Sequence, residues 1–164
     1  MPMLEEVLAE AGMAWPDLAA LGVGTGPGNF TGIRISVAAA RGLALGLGIP
    51  AEGVGLSEAY ADGRDVIVCL PAPHGQVHAA LRDEIRLVAP DALPVEWRAP
   101  LTGPAADIVA AATGRATEPA PDIATAIARI AASRAASGRP RPAPVYLRAA
   151  HAAPPSDPPP AILP

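Results

Sequence analysis

Lysine is absent from this sequence, and aromatic side chains and cysteine are scarce. All 12 basic residues among the 164 are arginine, there are five aromatic residues, and there is one cysteine. With few large side chains and 38 alanines, the helices must pack closely on small residues. The hydrophobic content of 51% excludes a disordered polypeptide, because such a chain can bury enough apolar surface to form a core.

The single cysteine, Cys69, excludes an intrachain disulfide. It lies within the apolar run 65–70, which predicts a buried and chemically inert thiol and fits a reducing compartment. No apolar stretch reaches the roughly 20 residues of a membrane span, and the N-terminus lacks the basic segment of a signal peptide. We therefore expect a cytoplasmic protein that does not enter membranes.

The net charge of −4 is unevenly distributed along the chain. Residues 1–62 carry seven acidic and two basic side chains, whereas residues 63–164 carry nine acidic and ten basic side chains. Affinity for nucleic acids rests mainly on Lys and Arg side chains that neutralise phosphates. The composition therefore argues against strong unaided binding to a polyanion.

The hydrophobic pattern predicts an α/β fold. An amphipathic helix over 1–11, with Leu4 and Leu8 on its apolar side, precedes a strand at 18–23 and a glycine-rich turn at 24–32. The further expected elements are helix 31–47, strand 52–55, helix 56–61, strands 65–70, 76–82 and 84–88, and helices 105–112 and 123–136. Nine of the 21 prolines fall in the last 26 residues, which predicts an extended or disordered C-terminal segment.

The glycine-rich turn stands between a strand and a helix, where many proteins bind phosphate. It lacks the lysine of a P-loop and the glycine spacing of a dinucleotide fingerprint. The alternative is a structural turn in which Phe30 fills the core. In that interpretation Gly26, Gly28 and Gly32 are needed for room or for a positive φ.

Metal ligands and nucleophiles have little support in the sequence. His74 and His78 are four residues apart, but Gly75 and the strand pattern place them in a hairpin, where an extended strand separates them by ~13 Å. No Gly-x-Ser-x-Gly elbow is present, and Ser36 and Ser57 are predicted to be ordinary helix residues. We expect no catalytic residue, no cofactor and no metal.

The segment Gly24-Thr-Gly-Pro-Gly-Asn-Phe-Thr-Gly-Ile-Arg-Ile35 resembles the G-x-G-P-G-S-F-T-G-[LIV]-R motif of the bacterial TsaB family. Ala40-Arg-Gly-Leu-Ala44, Pro50, Gly53-Val54 and Pro144-Val-Tyr-Leu-Arg148 follow in the family's order. The resemblance implies an actin-like, Hsp70-like α/β fold. Residues 1–62 would be the remainder of a first subdomain, 63–148 a second subdomain and 149–164 a disordered tail. The family's first strand hairpin, with its A-x-D-T-[SA] motif, is expected to be missing.

The resemblance also implies a role. TsaB proteins are dimerisation subunits that pair with the catalytic subunit TsaD and, with TsaE, install threonylcarbamoyl on the adenosine next to the tRNA anticodon. The chain would then be a non-catalytic protein that meets tRNA only through the complex and can form a homodimer without TsaD. The implied partner-binding residues are Leu4 and Leu8 on the first helix and Arg34 and Arg41 on the second. The residues of the implied structural motif are Gly26, Pro27, Gly28, Phe30, Thr31 and Gly32.

TsaD shares a similar turn, but it has H-x-E-G-H where this chain has Leu56-Ser-Glu-Ala-Tyr60. Leucine and neutral tyrosine do not replace histidine as ligands of the metal that TsaD uses. The sequence therefore favours TsaB over TsaD. Two other hypotheses stay open: an actin-like ATPase or glycoprotease-like enzyme, and a non-functional fragment of TsaB.

Overall fold

A computed structural model describes residues 2–135 and 140–147 of the chain. Helices and strands alternate up to residue 71, and two short 3-10 turns lie at Trp15–Asp17 and Pro73–Gly75. The elements are α1 (Pro2–Glu10), β1 (Leu21–Gly24), α2 (Phe30–Leu47), β2 (Ala51–Val54), α3 (Leu56–Ala61), β3 (Ile67–Pro71), β4 (Val77–Leu81), β5 (Glu84–Val88), β6 (Leu101–Thr102), α4 (Ala106–Thr113) and α5 (Ile123–Arg134).

The first sheet consists of two short parallel strands joined by a helix. Strand β1 pairs with β2 from Leu21↔Ala51 to Gly24↔Val54, and α2 connects them. Side chains alternate across a strand, so β1 turns its large residues to one face and its glycines to the other. On the large-residue face, Val23 forms a buried cluster with Ile33 and Val37 of α2.

The glycine face of β1 is covered by α5. A Cβ built on Gly22 would lie 2.9 Å from the Cβ of Ala131 and 3.0 Å from Cγ2 of Ile127, so only glycine allows this close approach. Helix α5 also packs on β2, where Val54 and Ala131 belong to one buried cluster. Helix α5 thus packs on the first sheet, although it follows residue 62, where the first predicted subdomain ends.

The second sheet has the strand order β5-β4-β3-β6. Strands β3, β4 and β5 are antiparallel neighbours, and β6 pairs with β3 in parallel. One face packs on α4 through a core that includes Ile67, Trp97 and Val109. The other face packs on α3, where Val68 and Leu70 lie against Leu56 and Tyr60.

Helix α3 links the two sheets because it contacts both β3 and α5. Two ion pairs join α3 and the residue that follows it to α5: Glu58 with Arg134, and Asp62 with Arg129. Both pairs are partly exposed, so each contributes about 1 kcal/mol or less. Burial of the apolar faces, rather than these ion pairs, holds α5 in place.

Most of the predicted elements are confirmed, and two of them, α3 and β5, have the predicted bounds. Strand β1 begins at Leu21 rather than at residue 18, because Leu18 closes the 3-10 turn by donating its N–H to the carbonyl of Trp15. The hairpin predicted around Gly75 is present, and its two strands, β3 and β4, are connected through the 3-10 turn that ends at Gly75. The predicted proline-rich tail, 149–164, lies outside the described residues.

One helix in the described part of the chain, α2, has the length and composition of a membrane span. The sequence analysis expected no such segment. Core helices of soluble proteins also meet this criterion, so one helix is weak support for a membrane location. The helix has a mean hydropathy of 1.3, and only 17% of it is buried.

A substitution at Gly22 tests the contact between β1 and α5. Gly22→Ala should lower the free energy of unfolding by about 1–3 kcal/mol, because the new methyl group overpacks against α5. Gly24→Ala is the matched control on the same face, since its Cβ would meet Ile127 Cδ1 at 3.5 Å, an ordinary contact. Equal urea midpoints for the two variants would contradict the close approach at Gly22.

The buried thiol gives a pH prediction. Cys69 is fully buried, and burial raises its pKa from 9.0 to about 11, partly opposed by the positive charge of Arg115. The unfolded chain therefore loses this proton first, so the thiol reduces stability as pH rises from about 9 to about 11. Cys69→Ala should lose less stability than the parent protein between pH 8 and pH 10.5 in urea unfolding. Parallel losses in the two proteins would be the contrary result.

Candidate functional site

The glycine-rich turn is held by backbone hydrogen bonds from three parts of the chain. Thr25 donates its N–H to the carbonyl of Val54 at 2.9 Å, and its own carbonyl accepts from the N–H of Val145 at 2.8 Å. The carbonyl of Gly26 accepts from the N–H of Leu56 at 2.7 Å. The end of β2, the start of α3 and the segment 140–147 therefore all meet at this turn.

Gly26 is the glycine that the turn requires. Its φ is +101°, and a Cβ there would lie 2.7 Å from Ile33 Cδ1 and 3.1 Å from the carbonyl oxygen of Val145. Gly28 and Gly32 have no such restriction, since their φ values are not positive and an added Cβ would make contacts of 3.4 Å or more. The expectation that all three glycines are needed for room or positive φ holds for Gly26 alone.

The start of α2 is capped by Asn29, whose side chain accepts a hydrogen bond from the N–H of Gly32 at 2.8 Å. The carbonyl of Asn29 accepts from Ile33 at 3.0 Å. This cap uses one of the N–H groups that a phosphate would need at a helix N-terminus. Pro27 and Thr31 complete the turn, with Pro27 half-buried and Thr31 exposed.

Phe30 is not buried, contrary to the prediction that it fills the core. Its exposed fraction is 37%, and the core position under the turn is taken by Ile33. The Phe30 ring instead lies 4.6 Å from the ring of Tyr146, centroid to centroid. The helix places residue 30 on its outer side, so the ring packs against the C-terminal segment.

Arg34 completes a small cluster with these two rings. Its guanidinium lies 3.8 Å from the Phe30 centroid and 5.6 Å from the Tyr146 centroid, and its Nε donates to the Tyr146 hydroxyl at 2.8 Å. Such cation–π contacts contribute about 0.5–1 kcal/mol at exposed sites. Arg34 thus connects α2 to the segment 140–147 within the chain.

The residues at the metal-ligand positions of TsaD have structural surroundings here. Leu56 and Tyr60 pack against the buried cluster of Val66, Val68 and Leu70, and Glu58 forms its ion pair with Arg134. No group of three metal-ligating side chains occurs within residues 2–135 and 140–147.

The two described histidines lie on different parts of the β3–β4 hairpin. His74 is exposed in the 3-10 turn, with φ of 59°, and His78 is buried in β4. His151 is outside the described residues. Ser36 donates its hydroxyl to the carbonyl of Ile33, as an ordinary helix serine does.

Helices α1 and α2 expose large apolar side chains. No residue of α1 is buried, and Met3, Leu4 and Val7 are 75%, 46% and 57% exposed. Leu8 is half-buried. On α2, Ile35 and Leu45 are 64% and 78% exposed. We call these exposed side chains of α1 and α2 the apolar helix surface.

Arg41, the fourth predicted partner-binding residue, is exposed on α2 and lines a cavity of about 460 Å³. The cavity lies beside the start of β2, and Glu52 and Arg141 also line it. Glu52 is 3% exposed. The sequence does not predict the burial of Glu52, because an acidic residue between Ala51 and Gly53 belongs to no pattern that indicates a buried position.

Tyr146 was also missed as a functional contact. The resemblance of 144–148 to a family motif was its only signal, and nothing local connected it to a turn more than 110 residues earlier. Two arginines that share a second cavity, Arg98 and Arg115, were missed because they are 17 residues apart in irregular segments.

A family model described as "TsaD: tRNA N6-adenosine threonylcarbamoyltransferase" matches residues 1–146. The tRNA threonylcarbamoyladenosine biosynthesis protein TsaB of Escherichia coli K12 is 38% identical over 93 residues, which are 51% of this chain and 40% of that protein. The tRNA N6-adenosine threonylcarbamoyltransferase of Jannaschia sp. CCS1 is 50% identical over 52 residues, or 32% of this chain and 14% of that protein. The matched regions thus span less than half of these curated relatives.

A solved structure from Pseudomonas aeruginosa, described as an uncharacterized protein with similarity to peptidase YEAZ, superimposes with a TM-score of 0.64. It is 26% identical and is covered to 82% of its length by 90% of this chain. The fold is therefore the α/β, actin-like fold that the sequence predicts. The chain belongs to the family of the tRNA N6-adenosine threonylcarbamoyltransferase TsaD and, within that family, to the TsaB group.

Proposed function

We propose that this chain acts in the biosynthesis of threonylcarbamoyladenosine in tRNA, as a non-catalytic subunit that pairs with a TsaD protein. The observation that carries the proposal is the apolar helix surface on a member of the TsaB group. TsaE belongs to the wider complex, and tRNA meets the chain only through that complex. The location that fits this role is the cytoplasm.

The apolar helix surface has the composition of a protein interface. Monomeric soluble proteins rarely expose large contiguous apolar patches, and such patches mark binding sites. Helix α1 exposes three large apolar side chains within five residues: Met3, Leu4 and Val7. Met3 and Val7 are four residues apart on α1, so they lie on the same side of the helix. An amphipathic helix that places such residues against a partner is a common recognition mode.

Arg34 and Arg41 have different parts in this proposal. Arg34 is fixed by Phe30 and Tyr146, so it presents a rigid polar edge beside Ile35. Arg41 lies further along the same helix, on the wall of the 460 Å³ cavity. Both lie at the rim of the proposed interface, where they contribute specificity more than affinity.

The non-catalytic role rests on the side chains at 56–60. Leu56 and Tyr60 are engaged in packing α3 on the second sheet, so they cannot also serve as ligands. In this proposal the chemistry belongs to the TsaD partner. The chain alone should therefore not modify tRNA, whereas an enzymatic role as an ATPase or peptidase would give activity without the partner.

Charged substitutions on α1 test the interface. The double variant Leu4→Glu, Val7→Glu should co-purify with the TsaD protein of the same organism at least ten times less well than the parent chain. Both side chains are already exposed, so the variant should keep its circular dichroism spectrum and Tm. In a reconstituted assay, the complex with the double variant should show a matching loss of threonylcarbamoyladenosine formation.

Val95→Glu is the matched control, because Val95 is 77% exposed and lies outside α1 and α2. It should leave co-purification unchanged. Undiminished complex formation by the folded double variant would move the interface away from α1. Binding of the parent chain to lipid vesicles, lost in the same double variant, would assign the apolar helix surface to a membrane instead.

A further inference from the structure

A second cavity, of about 310 Å³, lies beside the second sheet and is lined by two arginines. Its lining residues are Arg98, Ala99, Pro100, Arg115 and Ala116. Residues 98–100 lead into β6, and residues 115–116 follow α4. The two arginines therefore come from separate segments that meet at this cavity.

Backbone hydrogen bonds fix the two segments against each other. The N–H of Leu101 donates to the carbonyl of Ala116 at 2.9 Å, and the N–H of Glu118 donates to the carbonyl of Leu101 at 2.7 Å. On the other side of β6, the N–H of Ile67 donates to the carbonyl of Pro100 at 2.8 Å. The cavity wall is thus part of the sheet rather than a free loop.

The cavity has positive charge without a matching acid. None of its five lining residues is acidic, and Nη1 of Arg115 is buried without a hydrogen-bond partner. Arg64, Arg82 and Arg86 of the same region each form an ion pair with a carboxylate. Within the described residues, no ion pair involves Arg98 or Arg115.

This arrangement is costly when the cavity is empty. Arg115 is half-buried, and its Nη1 atom is shielded from water without gaining a hydrogen bond. The charge of Arg115 also reaches the core, since it opposes the rise in the pKa of the Cys69 thiol. An anion in the cavity would offset the repulsion between the two cations that line it.

We propose that Arg98 and Arg115 form a binding site for a phosphate group. A guanidinium presents its donors in a planar fork that matches the oxygens of phosphate, and two of them balance a charge near −2. The phosphate is either a free or terminal phosphate, with charge near −2, or a backbone phosphate of RNA, with charge −1.

The proposal does not depend on the pairing with TsaD. The apolar helix surface belongs to α1 and α2, whereas this cavity belongs to β6 and the loop after α4. The proposed site also refines the expectation, based on composition, that the chain does not bind polyanions strongly. The chain as a whole is acidic, but residues 63–164 carry ten arginines, and two of them converge here.

Calorimetric titration of the full chain with inorganic phosphate at low ionic strength tests the site. We expect saturable binding with one site, and at least a tenfold loss in both Arg98→Gln and Arg115→Gln. Arg82→Gln is the matched control, because Arg82 is exposed and paired with Asp65. Acetate at the same concentration should bind at least ten times more weakly than phosphate.

Thermal unfolding gives an independent readout. Phosphate should raise the Tm of the parent chain and of Arg82→Gln, but not that of either cavity variant. If Arg115→Gln does not fold, Arg98→Gln carries the test, since Arg98 is exposed and its loss leaves the core intact. Equal phosphate affinity in Arg98→Gln and Arg82→Gln would overturn the proposal. The absence of phosphate binding by the parent chain would also overturn it, unless the chain binds RNA and the cavity variants weaken that binding.

Titration with RNA distinguishes between the two sources of phosphate. If the ligand is a backbone phosphate, a tRNA transcript should bind more tightly than inorganic phosphate, and Arg98→Gln should reduce the slope of log K against log salt by about 1. If the ligand is a free or terminal phosphate, the cavity variants should bind a transcript from which the 5′ phosphates have been removed as well as Arg82→Gln does.

Discussion

The close approach of helix α5 to strand β1 is the contact on which the arrangement of the chain depends. It is possible because Gly22 leaves space for Ala131 and Ile127 on one face of a two-stranded sheet. The contact brings residues 123–134 back to a sheet formed by residues 21–54. A chain with five aromatic residues cannot fill wide gaps between layers, so its layers approach until small side chains touch.

The glycine-rich turn has a structural role in this arrangement, because residues that follow α5 in the sequence pack against it. Residues 140–147 lie against the turn, where Val145 donates to Thr25 and Tyr146 packs on Phe30 and Arg34. The N–H of Thr25 is thus bonded to Val54, and the N–H of Gly32 is bonded to Asn29. A phosphate loop needs such groups free to face a ligand. In this chain the sequence motif forms a docking point for its own C-terminal segment.

Local patterns were enough to predict most of the elements, although not the two-residue strand β6, but they did not predict how distant elements meet. Helix α3 and strand β5 were predicted with their bounds because period and flanking residues act within a few positions. The position of α5 on the first sheet depends on Gly22, more than 100 residues earlier, and no periodicity encodes that contact. The same limit explains why the prediction that Phe30 is buried was wrong. An aromatic residue in a glycine-rich turn favours a core position, and its exposure follows from Tyr146, which the local sequence does not place nearby.

The two proposed binding surfaces rely on different physical forces, so salt should affect binding at each of them differently. The apolar helix surface associates by burying side chains such as Leu4 and Val7, an interaction that salt does not screen. The cavity of Arg98 and Arg115 attracts its ligand by charge, and added salt competes with that attraction. A complex that uses both surfaces therefore loses its phosphate contact first as ionic strength rises, while the protein partner stays bound. The acidic excess in residues 1–62 would also repel phosphates from the proposed protein interface on the helices.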